Sequence, residues 1–410
     1  MMKKFITLLT VFLLSLNTGA QNVSSSEVFD IASKFMAKKG ITLVNDDKAA
    51  TRGNAEPYSI FNGEDGRGFA IVINGAIVGY STEDTVDGDN LPIQLKDMLD
   101  GYSKATTRGT EEFPSEWVAR NVTPIEPLIK AKWGQGYPYN DMCPTIDGEH
   151  CKTGCVATAL AMVIHYFRLS GGCKAVNMSD FIDWSWTVNY KTVRPHTLPK
   201  IDSFDYDNML DEYNANEFTE ENVHAVAELM MYCGSVSNQR YGLYTSIGDL
   251  PNETIKKYFN FDKVDNGASE NLSDEAIAKI LDKHLGKKMP ILSLGHDMNS
   301  NGHMYIIDGR DSEGLYHINW GYSGSGNGYF IVSEKLYKKY GATHNIGSSM
   351  NNVWFKIPYA TLKATSIDNL TFNRVDDSMV YNLNGQCVGN SLEGLSKGIY
   401  IKEGKKHVVK

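Results

Sequence analysis

Beyond its first twenty residues this 410-residue sequence has no apolar run long enough to cross a bilayer, so no membrane-spanning helix is expected downstream. Positive charge is not in excess. Forty Lys and Arg against 49 Asp and Glu leave a net charge of −9, and basic residues gather only in Lys402-Glu403-Gly404-Lys405-Lys406. That balance argues against a nucleic-acid partner. Cysteine is sparse: Cys143, Cys151, Cys155, Cys173, Cys233 and Cys387 are too few for a disulfide scaffold in a chain of this size. A Cys143–Cys151 bond is left open. His-Glu-x-x-His is missing, and so is a second tight cysteine pair beside Cys151 and Cys155, so neither a metal nor another cofactor is expected. No Gly-x-Ser-x-Gly elbow supports a serine hydrolase, and no Gly-Lys-Ser/Thr or Gly-x-Gly-x-x-Gly supports phosphate binding. What is present is a globular composition, 42% hydrophobic and 22% charged.

Residues 1–20 have the parts of an export signal: Lys3 and Lys4, an apolar run from Phe5 to Leu16, then Thr18-Gly19-Ala20 before Gln21. A small α+β unit follows. Ser24-Ser25-Ser26 caps a helix with Val28, Ile31 and Phe35 on one face and Gly40 after it. Asn74-Gly75 between Phe69–Ile73 and Ala76–Tyr80 predicts a tight hairpin. Leu91-Pro92 opens a second helix with Leu95, Met98, Leu99 and Tyr102 as its apolar face. Lys104 to Glu112 is polar and reads as a linker open to cleavage, and Lys48-Ala49-Ala50-Thr51-Arg52-Gly53 is a near copy. From about Pro114 to Pro358 a helix-forming half precedes a half rich in aromatic strands. The last stretch, from residue 359 to residue 410, is a short β tail in which Gly398–Ile401 pairs with the region around Val380.

The chemistry centres on Thr153-Gly154-Cys155-Val156-Ala157-Thr158-Ala159. Cys155 opens a helix whose periodicity runs to Phe167, where free N–H groups and the helix dipole favour a thiolate. His303, entered through Gly302 on a strand ending at Asp308-Gly309, is the candidate base. If the turn after that strand centres near residues 311 and 312, position 303 faces 319 or 320 on the next strand. Asn319 would then hold the imidazole and Trp320 would shield it. His317 is the rival base and Asp308 the rival orienting group. Gln135, between Gly134 and Gly136, is the candidate side-chain donor to an oxyanion, alongside the Cys155 N–H. Gly321 to Gly328 has four glycines in eight residues and reads as a mobile loop at the cleft edge.

Taken together, Trp133-Gly-Gln135-x-x-Pro138-Tyr139-Asn140, Gly154-Cys155-Val156-Ala157, Gly302-His303 leading to Asp308-Gly309, and His317-Ile318-Asn319-Trp320-Gly321 resemble the streptopain family of cysteine peptidases. The resemblance implies an α+β, papain-like fold of a helical half and an antiparallel β half, at residues 109–358, preceded by an inhibitory propeptide at 21–108. It implies a secreted endopeptidase made as a zymogen, acting on proteins and peptides, with Cys155 as nucleophile, His303 as base and acid, Asn319 and Trp320 orienting and shielding it, and Gln135 in the oxyanion hole. It also implies a taste for bulky apolar side chains two residues before the scissile bond, and the chain's own propeptide as a bound inhibitor. The tail resembles sorting tails of the type IX secretion system, which would make secretion machinery a partner. A papain-like transglutaminase or amidase, and a surface adhesion module, are the alternatives.

Overall fold

The computed structural model describes residues 24–45, 58–107, 122–169, 171–181, 192–213, 217–248, 252–259, 263–265, 273–296, 302–333 and 359–361, and parts of 380–409. The export signal, the Lys48–Gly53 copy and residues 108–121 lie outside the described residues. Residues 1–360 form one compact unit and 361–410 another.

The first unit opens with α1 (Ser25–Ala37), capped by Ser24, whose hydroxyl accepts from Glu27 N–H while Glu27 reaches back to the Ser24 N–H. Its inward residues are Ala32 and Met36, flanked by Val28, Phe29 and Phe35. Three strands follow: β1 (Tyr58–Asn62), β2 (Phe69–Ile73) and β3 (Ala76–Ser81). Asn74 and Gly75, at φ +48° and +80°, make the tight turn the sequence predicts. Then α2 (Ile93–Thr107) buries Leu95, Met98, Leu99 and Tyr102. It runs past Lys104, so the expected linker begins three or four residues late; Lys104 and Ala105 are good helix formers and Gly109 is the first strong breaker.

The helical half carries the short hairpin β4 (Thr145–Ile146) and β5 (Glu149–His150), then α3 (Cys155–Phe167), α4 (Glu220–Val236) and α5 (Asn252–Tyr258). Every residue of α3 from Val156 to Ile164 is buried, so it is a central helix rather than a one-sided one. It packs against α4 on one side and the sheet on the other. After β6 (Lys263–Asp265) comes α6 (Asp274–Leu285), then β7 (Ile291–His296), β8 (Gly302–Arg310), β9 (Tyr316–Asn319) and β10 (Gly328–Phe330). β11 (Tyr359–Thr361) pairs with β6.

The sheet order is β1-β2-β3-β10-β9-β8-β7, antiparallel at each described pairing. The N-terminal strands thus continue the sheet of the β half, through Tyr80↔Tyr329 and Gly79↔Phe330. One hydrophobic core runs under both, from Phe61, Ile71 and Leu99 to Ile307, Trp320 and Phe330. The second unit is a four-stranded sheet of β12 (Val380–Asn382), β13 (Cys387–Gly389), β14 (Gly398–Lys402) and β15 (Lys405–Val409), ordered β13-β12-β14-β15. Tyr381 faces Ile401, the pairing expected from the sequence.

Candidate active site

Cys155 is the first residue of α3. Gly154 before it takes φ +83°, a conformation costly for any side-chain-bearing residue, and offers no side-chain cap. The first N–H groups of the helix are therefore free to face the thiol. The sulfur contacts the N–H groups of Cys155, Val156 and Met304. Burial pushes the thiol up from its ordinary value, and those three N–H groups pull it down without cancelling the rise. In this arrangement burial opposes the thiolate that the helix start favours.

His303 stands one residue before Met304 on β8 and is buried. Its Nε2 lies 2.8 Å from the carbonyl oxygen of Trp320. A carbonyl only accepts, so Nε2 carries the ring proton and Nδ1 is the basic atom. Burial, against a smaller opposing effect of the Trp320 bond, lowers its pKa to about 4. Among the described residues no hydrogen bond joins His303 to Cys155. Burial thus disfavours the charged form of both groups.

The predicted register fails. Ile306, not His303, faces Asn319, because the turn centres near residue 313 and a bulge lies between Ile307 and Gly309. The turn is moved by Asp311, whose carboxylate accepts the N–H groups of Glu313 and Leu315. Three residues on, Tyr322 takes the place expected for Asn319. Its ring stacks on His303 at 5.1 Å, and its phenol is pushed up chiefly by burial and further by the Cys155 sulfur. Asn319 instead donates to the Ala131 carbonyl at 2.9 Å and accepts the Gly321 N–H at 3.1 Å. The imidazole is held by backbone, at the residue after Asn319. Tyr322 was missed, and the Asp at the turn was the signal for it.

The other candidates are placed as follows. Thr153 N–H donates to the Gln135 carbonyl at 3.1 Å, so the Gln135 loop lies alongside the segment entering α3, and Gln135 itself is half-buried. Trp320 is buried, its indole N–H on the Gly326 carbonyl at 3.0 Å. His317 pairs through Nδ1 with Asp308 at 2.6 Å, so Asp308 orients His317 and not His303. Cys143 and Cys151 are free and buried. Among the described residues no group of three His, Cys, Asp or Glu could hold a metal ion.

The glycine-rich run after Trp320, expected as a mobile loop, is a set of tight turns pinned on several sides. Ser323 N–H donates to the Trp133 carbonyl, Trp320 N–H to the Asn327 side chain, and Gly326 N–H to the Thr85 carbonyl of the N-terminal unit. A side chain on Gly326 would meet Leu95 and Pro92 of that unit. A continuous path of contacts thus runs from Thr85 through Gly326 and Trp320 to His303.

Comparison with known proteins agrees with this layout. The model of the peptidase C10 family matches residues 133–330, and that of the Spi protease inhibitor matches residues 20–106. The thiol protease/hemagglutinin PrtT of Porphyromonas gingivalis is 25% identical over 370 residues, 81% of this chain. This chain spans only 41% of that relative's length. Streptopain of Streptococcus pyogenes is 26% identical over 309 residues, covering 68% of this chain and 73% of streptopain. A solved fragment of prointerpain A from Prevotella intermedia has the same fold, with a TM-score of 0.58 at 23% identity over 77% of this chain and 98% of the fragment.

Proposed function

The chain belongs to the peptidase C10 family of streptopain-like cysteine peptidases and carries its inhibitor segment in front of the catalytic part, and from that premise we propose how its residues divide the work. Cys155 is the nucleophile and His303 its base. Nδ1 of His303 takes the thiol proton as sulfur attacks a peptide carbonyl. The oxyanion forms against the Cys155 N–H and the Gln135 side chain. His303 returns the proton to the leaving amine, and water then cleaves the thioester with His303 again as base. Trp320 serves through its carbonyl, which fixes the tautomer, and its ring, which keeps water from that bond. Asn319 supports the same strand end from a distance. The observation that carries this reading is the thiol seated on the N–H groups that open α3 and on Met304 N–H, next to His303.

The raised thiol and the depressed imidazole fit a latent precursor. Removal of the inhibitor segment frees Gly326 from Thr85 and lets Trp320 and His303 resettle until the pair can exchange a proton. Residues 1–20 direct export, 21–108 are the removable inhibitor with its cut at Lys104 to Arg108 or at Arg52, 109–358 are catalytic, and 359–410 address the secretion machinery of the outer membrane. The family assignment speaks against the transglutaminase, amidase and adhesion readings.

The test is a purified precursor and its Cys155→Ala variant, incubated with a thiol-directed epoxide. Wild type shortens itself, the epoxide stops it and labels Cys155, and the variant stays full length with an unchanged melting temperature. A variant that matures alone refutes the assignment.

A further inference from the structure

The N-terminal unit meets the catalytic part through several polar contacts, among them Tyr80 to Asp311 and Tyr102 to Ile331, and one of them is an ion pair. Lys132 lies three residues before Gln135, and its ammonium meets the Asp84 carboxylate at 2.7 Å. The two side chains are only 22% and 14% exposed. Both press on Gly324, where a Cβ would sit 3.1 Å from the Lys132 stem and 3.2 Å from the Asp84 oxygen. One residue along, the Thr85 carbonyl accepts the Gly326 N–H at 2.9 Å. The Asp84–Thr85 segment is presented rigidly: Ser81 Oγ accepts the Asp84 N–H, and the Asn62 amide clasps both N–H and C=O of Val86. Glu83 stands 3.9 Å from Lys132 and departs with this segment. Glu212, 3.2 Å away and 46% exposed, remains.

Once the N-terminal unit is gone, an ammonium with three donors keeps one carboxylate partner, and a backbone N–H has none. The two donors lie beside the run that follows Trp320, whose Tyr322 covers His303. The leaving amine must pass His303 to be protonated, and the contacts from His303 through Trp320 to Gly326 lead from there toward these donors. Resting on the reading of Cys155 and His303 above, we propose that Lys132 and the Gly326 N–H form a subsite for an acidic residue on the leaving-group side of the scissile bond, and that Asp84-Thr85 fills it in the precursor. The substrate's carboxylate takes the place of Asp84, and a neighbouring carbonyl takes that of Thr85. An Asp or Glu fits because a charge-assisted bond to a partly buried ammonium outweighs the neutral one an Asn could make.

The test uses the matured enzyme and internally quenched peptides carrying Asp or Asn at each of the three positions after the scissile bond. Expected is a preference for Asp of about tenfold or more in kcat/KM at one of them, shrinking at high salt. Lys132→Met brings the Asp/Asn ratio close to one, and Lys132→Arg retains it. Equal cleavage of Asp and Asn peptides at all three positions, or a preference that survives Lys132→Met, overturns the subsite. Epoxide titration of Cys155 in each preparation separates that failure from a failure of the nucleophile assignment. If Lys132→Met does not mature, the acetylated peptide Ser81–Gly88 is compared with its Asp84→Asn form as inhibitors of the wild-type enzyme. The acidic peptide inhibits about tenfold better, and equal inhibition overturns the proposal.

Discussion

His303 and His317 stand on adjacent strands of one hairpin, both nearly out of water at 3% and 9% exposure. His317 has the partner a catalytic imidazole is often drawn with, the Asp308 carboxylate at 2.6 Å. His303 has only a backbone carbonyl. On the proposed division of roles, the pairing with carboxylate marks the structural histidine. Asp308 also accepts the Ile129 N–H, its own carbonyl accepts the Leu128 N–H, and the segment leading to Trp133 and Gln135 is thereby tied to the sheet. His303 is held at Nε2 by a neutral acceptor, and among the described residues Nδ1 has no hydrogen-bond partner. A base needs that free nitrogen more than it needs a counter-charge in the resting state.

The sharpest way to break the comparison is to remove each ring. His303→Ala should cost at least about 10³-fold in kcat/KM on a fluorogenic peptide, some 4 kcal/mol of barrier, with little change in melting temperature. Asp308→Asn should do the reverse. It leaves His317 without its carboxylate partner and lowers stability by about 2–3 kcal/mol in denaturant, while each folded, matured molecule still reacts with the epoxide. A loss of rate in folded Asp308→Asn equal to that in His303→Ala would move the base to His317.

Acid gives a test of His303 alone. A histidine depressed to about 4 binds its proton less readily in the folded chain than in the unfolded one, whose ordinary value is 6.5. Its contribution is therefore complete above pH 6.5 and lost as pH falls toward 4, about 3 kcal/mol in all. Comparing the melting of the full-length Cys155→Ala precursor with that of its His303→Gln double variant across this window isolates the contribution. The double variant should be flatter with pH; parallel curves would mean that His303 is not held neutral.

The contrast between the histidines also marks where the sequence could be read. Helix starts were legible because their signals are local: Ser24-Ser25-Ser26 before α1, Pro92 before α2, Gly154 before Cys155. Asn74-Gly75 announced its turn for the same reason. The candidate nucleophile, the Gln135 loop and the candidate base could be named from short motifs. The pairing of β3 with β10 was not, since Tyr80 and Tyr329 lie far apart in the chain and an exposed-looking strand end does not reveal its partner. Nor was the register of β8 and β9. One bulge and one carboxylate-capped turn moved it by three residues, which carried Asn319 away from His303 and brought Tyr322 to it.

Asn319 gives the finest test of that shift. In the observed register it spans Ala131 and Gly321, so Asn319→Ala leaves a buried carbonyl and a buried N–H without partners. The expected cost is about 2 kcal/mol of stability. The rate should fall by less than about tenfold, because the Trp320 carbonyl still holds the imidazole. Had the side chain oriented His303 directly, the loss would fall on kcat, would approach that of His303→Ala, and would move the acid limb of the pH–rate profile. A stability loss with the pH profile unmoved assigns Asn319 to the strand end. A rate loss near a hundredfold or more in a protein of unchanged melting temperature would show that the matured enzyme turns Asn319 toward His303 after all.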